Sequence, residues 1–127
     1  MKILVVEDER RVAKMLCRAL ERLGNDCVCA HDAATATEIL REQPVDAVTL
    51  DLYMPGQPGL DWLEEVSGTR PGLARKTLVI TGGDLDADLV ERLARCGAGV
   101  LAKPFTLETL GEAVRSQIAR PARPIED

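Results

Sequence analysis

The stretch that most constrains this chain is Val45-Asp46-Ala47-Val48-Thr49-Leu50-Asp51-Leu52-Tyr53-Met54-Pro55-Gly56, an apolar run that stops at one carboxylate and then breaks on proline and glycine. Its β-branched residues and its lack of a helical period read as a strand buried on both faces, the kind found inside parallel sheets. Asp51 therefore stands at the carboxyl end of that strand. In open α/β sheets, ligands and chemistry collect at this edge, in the crevice where strand order reverses. A strand-end aspartate is also an ordinary turn-former, so a functional reading requires partners from elsewhere in the chain.

The rest of the sequence repeats the pattern. Ile3-Leu4-Val5-Val6 feeds Glu7-Asp8-Glu9, and Thr77-Leu78-Val79-Ile80-Thr81 is closed by Gly82-Gly83. Shorter strands are expected over about Asp26 to Ala30 and over Val100-Leu101-Ala102, the latter ending at Lys103-Pro104-Phe105. Between them, apolar residues spaced three and four apart predict helices. The first, from Glu9 to Leu23, carries Val12, Leu16, Leu20 and Leu23, with Met15 and Ala19 between them. The second runs from about Ala33 to Glu42, with Asp32 as its cap. The third covers about Leu60 to Ser67, with Leu60, Leu63 and Val66 inward, and the segment from Gly68 to Lys76 reads as loop. The fourth spans about Asp86 to Cys96, with Leu89, Val90 and Leu93 apolar. The fifth runs from about Leu107 to Ala119, capped by Thr106, with Leu107, Leu110, Val114 and Ile118 on one side. Strands alternating with helices imply an α/β fold, a mostly parallel sheet with helices on both faces, because right-handed crossovers place them there. One domain over residues 1–119 is expected, followed by a polar segment, 120–127, twice interrupted by proline, that serves as a tail or the start of a linker.

Composition excludes several function classes. At 127 residues the chain has room for one core, burying roughly two-thirds of its unfolded surface. Twenty-one acidic against 16 basic residues give a net charge of -5, and no run of Lys and Arg exists to neutralise nucleic-acid phosphates. No apolar segment approaches the roughly 18 residues of a membrane span, so a soluble cytoplasmic protein is expected. The four cysteines, Cys17, Cys27, Cys29 and Cys96, lack metal-site spacing and read as reduced thiols used as small core hydrophobes, with Cys27 and Cys29 sharing one strand face. His31 reads as a loop residue, Trp62 as a partly exposed packing residue off the apolar face of its helix, and Phe105 as a core anchor.

Collected at the strand ends are Glu7 and Asp8 after the first strand, Asp51 after the third, Thr81 after the fourth and Lys103 after the fifth. Three carboxylates in one crevice repel strongly, by about 4 kcal/mol per pair at 4 Å and an effective dielectric near 20. Such a cluster calls for a cation, and hard carboxylate oxygens with room for water suit Mg²⁺. A metal beside an aspartate, a hydroxyl and an ammonium is an arrangement for phosphoryl chemistry, with the aspartate as nucleophile.

These four motifs, Ile3-Leu4-Val5-Val6-Glu7-Asp8-Glu9, Thr49-Leu50-Asp51-Leu52-Tyr53-Met54-Pro55-Gly56, Val79-Ile80-Thr81-Gly82 and Lys103-Pro104-Phe105, resemble the signature set of the response-regulator receiver domain of two-component signalling, in the same order and spacing, over about residues 2 to 119. The resemblance implies a doubly wound, flavodoxin-like sheet of strand order 2-1-3-4-5. It implies that Asp51 accepts a phosphoryl group from a histidine kinase or phosphotransfer protein. Mg²⁺ would be held by Asp8, Asp51 and the backbone carbonyl of Tyr53, with Glu7 acting mainly through water. Thr81 would be the switch hydroxyl, Lys103 would pair with the phosphoryl oxygens, and the Lys103-Pro104 bond would be cis. The output face would be the fourth helix, fifth strand and fifth helix, regulating a partner or output domain. The family often has an aromatic residue three positions before the lysine; Val100 stands there, so aromatic-coupled switching is expected to be weakened or rerouted. Tyr53 and Gly83 occupy positions that tune acyl-phosphate hydrolysis in the family, and together they imply slow self-dephosphorylation.

Two other readings compete. A Mg²⁺-dependent phosphatase with an aspartyl-phosphate nucleophile wants a general acid two residues after that nucleophile, and Tyr53 stands there instead. A degenerate receiver acting only as a binding module conflicts with the full set of phosphorylation positions. The expected role is a phosphoacceptor signalling domain, not an enzyme, that assists only its own phosphorylation and dephosphorylation.

Overall fold

The computed structural model describes residues 1–54 and 56–118; Pro55, the expected helix end at Ala119 and the expected tail over 120–127 lie outside the described residues. The strands are β1 (Lys2–Val6), β2 (Asp26–Ala30), β3 (Ala47–Leu50), β4 (Thr77–Thr81) and β5 (Gly99–Ala102). They form one parallel sheet in the order β2-β1-β3-β4-β5. Chain direction across the sheet reverses between β1 and β3, which makes the crevice above those two strands the switch point of the fold.

The helices are α1 (Arg10–Arg22), α2 (Ala33–Glu42), α3 (Gly59–Thr69), α4 (Pro71–Arg75), α5 (Ala87–Cys96) and α6 (Leu107–Ala113), the last continuing as a π-helical turn over Val114–Ile118. The alternation of strand side chains divides the core into two layers. Ile3, Val5, Ala47, Leu78 and Ile80 pack against Ala13, Leu16 and Leu20 of α1 and against Leu110, Val114 and Ile118. Leu4, Val6, Val48, Leu50 and Val79 face α2, α3, α4 and α5. The three central strands are thus buried on both sides, which is why their sequences are continuously apolar. Caps expected from the sequence are made: Asp32 accepts the Thr35 N–H at 2.7 Å, and Thr106 and Thr109 exchange backbone and hydroxyl bonds reciprocally. Among the described residues no helix is long and apolar enough to cross a membrane.

Four expectations need correction. Trp62 is buried, with 1% of its surface exposed, and its Nε1–H donates to Thr37 Oγ1 at 2.9 Å. A single stripe of three-and-four spacing misses this because α3 packs against both the sheet and α2, so a second face is covered. The segment after Thr69 is not all loop: Pro71 opens α4, at a helix start where its missing N–H has no partner to lose. Leu107, Val90 and Leu23 belong to the expected apolar faces yet are exposed, because each lies at the margin of its helix's buried stripe. Phe105 is only half-buried, at the border of the α1 layer.

One buried polar group stands out. Thr49, in the middle of β3, has an Oγ1 that is buried without a hydrogen-bond partner. A desolvated, unpaired hydroxyl is unfavourable by about 1 to 3 kcal/mol. Thr49→Val keeps the branched shape and removes the hydroxyl, so it is expected to raise the unfolding free energy by about 1 kcal/mol. Urea unfolding at constant m-value is the check; an unchanged or lowered midpoint would show that the hydroxyl is satisfied.

Candidate functional site

The sheet register builds the site. Val6 of β1 is aligned with Leu50 of β3, so the next residues, Glu7 and Asp51, leave the sheet side by side. The ladder continues one step beyond the strands: Asp51 N–H donates to the Val6 carbonyl at 3.0 Å, Glu7 N–H to Ala30 at 3.0 Å, and Lys103 N–H to Thr81 at 2.9 Å. Glu7, Asp51, Lys103 and Thr81 are therefore fixed by backbone bonds to a neighbouring strand. Carboxylate oxygens of Glu7, Asp8 and Asp51 all lie within 4.8 Å of one another.

Glu7 is buried while Asp8 and Asp51 are partly exposed. Burial, reinforced by a hydrogen bond with Asp51, pushes the Glu7 carboxyl up to about 7, against the opposing pull of the Lys103 ammonium. Lys103 Nζ donates to Glu7 Oε1 at 3.1 Å, and the Glu9 N–H approaches Glu7 Oε2 at 3.3 Å. One ammonium against three carboxylates leaves the crevice with excess negative charge. These hard oxygen donors, partly open to water, fit one small divalent cation. His31, expected only as a loop residue, sits in the turn after β2, and its Nδ1–H donates to the Glu7 carbonyl at 2.9 Å.

The loops add groups at known positions. Tyr53 N–H donates to Asp51 Oδ1 at 3.1 Å. Its side chain is 55% exposed and crosses to the loop after β4, where a Cβ on Gly83 would come within 2.9 Å of the Tyr53 ring. The two positions that the sequence presents separately are thus one contact spanning the crevice mouth. Thr81 is buried, and its Oγ1 accepts the Gly83 N–H at 3.3 Å. The Lys103–Pro104 peptide is cis. Val100 lies on edge strand β5 with 45% of its surface exposed, apart from the carboxylate cluster.

Sequence reading missed Gly59. A Cβ there would come 2.5 Å from the Asp51 carbonyl oxygen and 2.9 Å from Leu52 Cα, and its N–H donates to the Leu52 carbonyl at 3.1 Å. Only hydrogen fits between the start of α3 and the segment that carries Asp51. The close approach of two backbones leaves no signal in the linear sequence.

Over residues 3–115 the chain matches the family described as response regulator receiver domain. It is 35% identical over 117 residues to a probable chemotaxis protein CheY of Rhizobium etli, covering 91% of this chain and 90% of that protein. It is 33% identical over 118 residues to the probable transcriptional regulatory protein TcrX of Mycobacterium tuberculosis, covering 93% of this chain but 50% of that one. The sensory/regulatory protein RpfC of Xanthomonas campestris is 31% identical over 134 residues, covering 99% of this chain and only 18% of that protein. The chain thus spans half the length of one of these relatives and under a fifth of another. A solved receiver domain from Clostridium thermocellum, 30% identical, gives a TM-score of 0.81 over 93% of this chain and 94% of that one. A CheY-like receiver from Methanospirillum hungatei shares the fold at a TM-score of 0.83 over 93% of each chain, with 22% identity. With its strand order, its acidic crevice and these relatives in agreement, the chain belongs to the response-regulator receiver domain family.

Proposed function

We propose that Asp51 accepts a phosphoryl group from the phosphohistidine of a histidine kinase or phosphotransfer protein. The observation that carries this is the meeting of Glu7, Asp8 and Asp51 oxygens within 4.8 Å, beside the Lys103 ammonium, at the switch point of the sheet. In the transfer, an Asp51 carboxylate oxygen bonds to phosphorus as the phosphorus–nitrogen bond breaks and the imidazole departs. Mg²⁺ held by Asp8, Asp51 and the Tyr53 carbonyl, with Glu7 through water, would supply positive charge against the phosphoryl oxygens. Lys103 exchanges its bond to Glu7 for one to a phosphoryl oxygen. Thr81 turns its hydroxyl, now accepting from Gly83, to donate to the same group.

The product carries about -1.5 to -2 of charge where the free Asp51 carboxylate carried one, and spreads it over the phosphoryl oxygens. Movement of Thr81 with its loop biases a two-state equilibrium read on α5, β5 and α6. The partner surface includes a groove of about 430 Å³ lined by the cationic Arg11 and Arg18 and the apolar Met15, Phe105 and Leu107, close in sequence to Lys103. Phosphorylation by a kinase places the domain in the cytoplasm, and its acidic balance leaves nucleic acid to any attached output domain or effector. Residues 1–119 make up the domain and 120–127 the link or tail; the Mycobacterium and Xanthomonas relatives carry their matching segments within longer chains.

Acetyl phosphate with magnesium is expected to give one phosphoryl adduct by intact mass, absent from Asp51→Asn and absent when EDTA replaces the metal. No adduct, or an equal adduct on both proteins, rejects the assignment. The Tyr53 ring over Gly83 shields the acyl phosphate from water, so its half-life is expected to be far longer than minutes, with Tyr53→Ala shortening it about tenfold, equivalent to about 1.4 kcal/mol. A half-life of seconds in the parent protein would contradict the shielding role. Because Val100 offers no ring, beryllofluoride is expected to shift amide resonances around Thr81 and along α5 and α6 without an aromatic rotamer change. Superimposable α5 and α6 spectra with and without it would rule out switching at that face.

A further inference from the structure

Three of the four cysteines meet at a place remote in the sheet from the output face. Cys27 and Cys29 lie on edge strand β2, paired in register with Ile3 and Val5, and both face α1. Cys17 approaches from α1. The sulfurs of Cys17 and Cys29 are 2.7 Å apart, far closer than unbonded thiols need to be, and the Cys27 thiol donates to the Cys17 carbonyl at 3.7 Å. All three side chains are half-buried, whereas Cys96 is buried in the opposite layer. The expectation of thiols serving only as core filler therefore suits Cys96 and does not account for this cluster.

We propose that Cys17, Cys27 and Cys29 form an oxidation site at which a hydroperoxide drives a reversible disulfide between Cys17 and Cys29. In the first step Cys17 or Cys29 gives up its proton and its sulfur attacks the terminal peroxide oxygen; the sulfur–oxygen bond forms as the oxygen–oxygen bond breaks, and an alcohol or water leaves. This step is slow near neutral pH and faster at alkaline pH, because both thiols are raised by their neighbours and by burial. The second thiol then attacks that sulfur, the disulfide forms, the sulfur–oxygen bond breaks and water leaves. Two thiols lose two electrons and two protons, and the peroxide takes up both. Return of the bridge to two thiols takes an added dithiol, whereas exchange with Cys27 can only move it. Hydrogen bonding from Cys17 holds the Cys27 thiol below the ordinary value, while burial, with Cys17 alongside, raises Cys29 to about 12. Cys27 is thus the thiol of the three most readily ionised, and its attack on a bridged Cys17 sulfur forms a Cys17–Cys27 bond as Cys29 leaves as a thiol, which shifts the bridge without reducing it.

A three-thiolate metal site fits less well. Among the described residues, the group of His, Cys, Asp and Glu whose ligand atoms all converge is Glu7, Asp8 and Asp51, and the cysteines do not meet that condition. The covalent outcome needs the two sulfurs to move together by a fraction of an ångström, from 2.7 Å to a bond of about 2.05 Å.

The test is hydrogen peroxide added in steps to the reduced, full-length protein, followed by alkylation and intact mass. Two of the four thiols are expected to resist alkylation, with the loss of two hydrogen masses and a non-reduced peptide joining Cys17 to Cys29. The bridge, closing the segment between α1 and β2, is expected to raise Tm by about 5 °C and to reverse with dithiothreitol. Cys27→Ser should form the same bridge, and Cys17→Ser should not. Four alkylatable thiols after peroxide, a bridge that joins two chains, or a bridge that requires Cys27 would each overturn the proposal. Zinc binding by the reduced protein with no loss of hydrogen on oxidation would also overturn it, in favour of the metal reading.

Discussion

The constraint around which this molecule is built is the crowding of negative charge at the end of β1 and β3. Parallel pairing forces Glu7 and Asp51 out of the sheet at the same level, and Asp8 follows at once. In isolation the crowding opposes folding; the Glu7 carboxyl is pushed up to about 7 chiefly by its burial, with Asp51 adding to the rise. What makes it tolerable is the Lys103 ammonium, brought across from the far edge of the sheet by the ladder bond to Thr81. The crevice is held in an electrostatically incomplete state by a core that is well packed on both sides, the usual relation between a functional site and the structure that supports it. A cation and a phosphoryl group are together the partners proposed for such an incomplete site.

Rigidity and mobility are divided accordingly. Asp51 is pinned from below by its bond to Val6 and from the side by the start of α3, where Gly59 allows two backbones to touch. The Thr81 hydroxyl is buried but bonded only within its own turn, and Tyr53 is half outside, resting on Gly83. Asp51, the proposed acceptor, is therefore fixed while the side chain of Thr81, the proposed switch residue, is held by one local bond. That asymmetry suits a domain whose chemistry occurs at one point and whose consequence is a shift of loops and helices.

The thiol cluster occupies the opposite end of the sheet and a different physical setting. β2 is an edge strand with one neighbour, held by its pairing with β1 and by packing against α1. Cys29 is aligned with Val5, two residues before Glu7, which puts the cluster and the acidic crevice along the same strand. A covalent link there would restrain α1, the helix that also lines the cationic groove.

Much of this was legible before any coordinates. Continuous apolar runs at β1, β3 and β4 disclose a sheet buried on both faces, their boundaries place Glu7, Asp8, Asp51, Thr81 and Lys103 at one kind of edge, and Asp32 and Thr106 announce their helices. These features depend on neighbours in sequence, where periodicity and caps carry the signal. Burial of Trp62 against Thr37, the need for hydrogen at Gly59, the contact of Tyr53 with Gly83, the unpaired Thr49 hydroxyl and the meeting of Cys17 with Cys29 do not. Each is a contact between segments whose relative position is set by packing of the whole domain, and a linear pattern has no term for the distance between two side chains brought together by other residues. The sequence by itself determined which residues stand at the strand ends; tertiary structure alone decided which side chains touch, because touching is a property of the packed layers rather than of any single element.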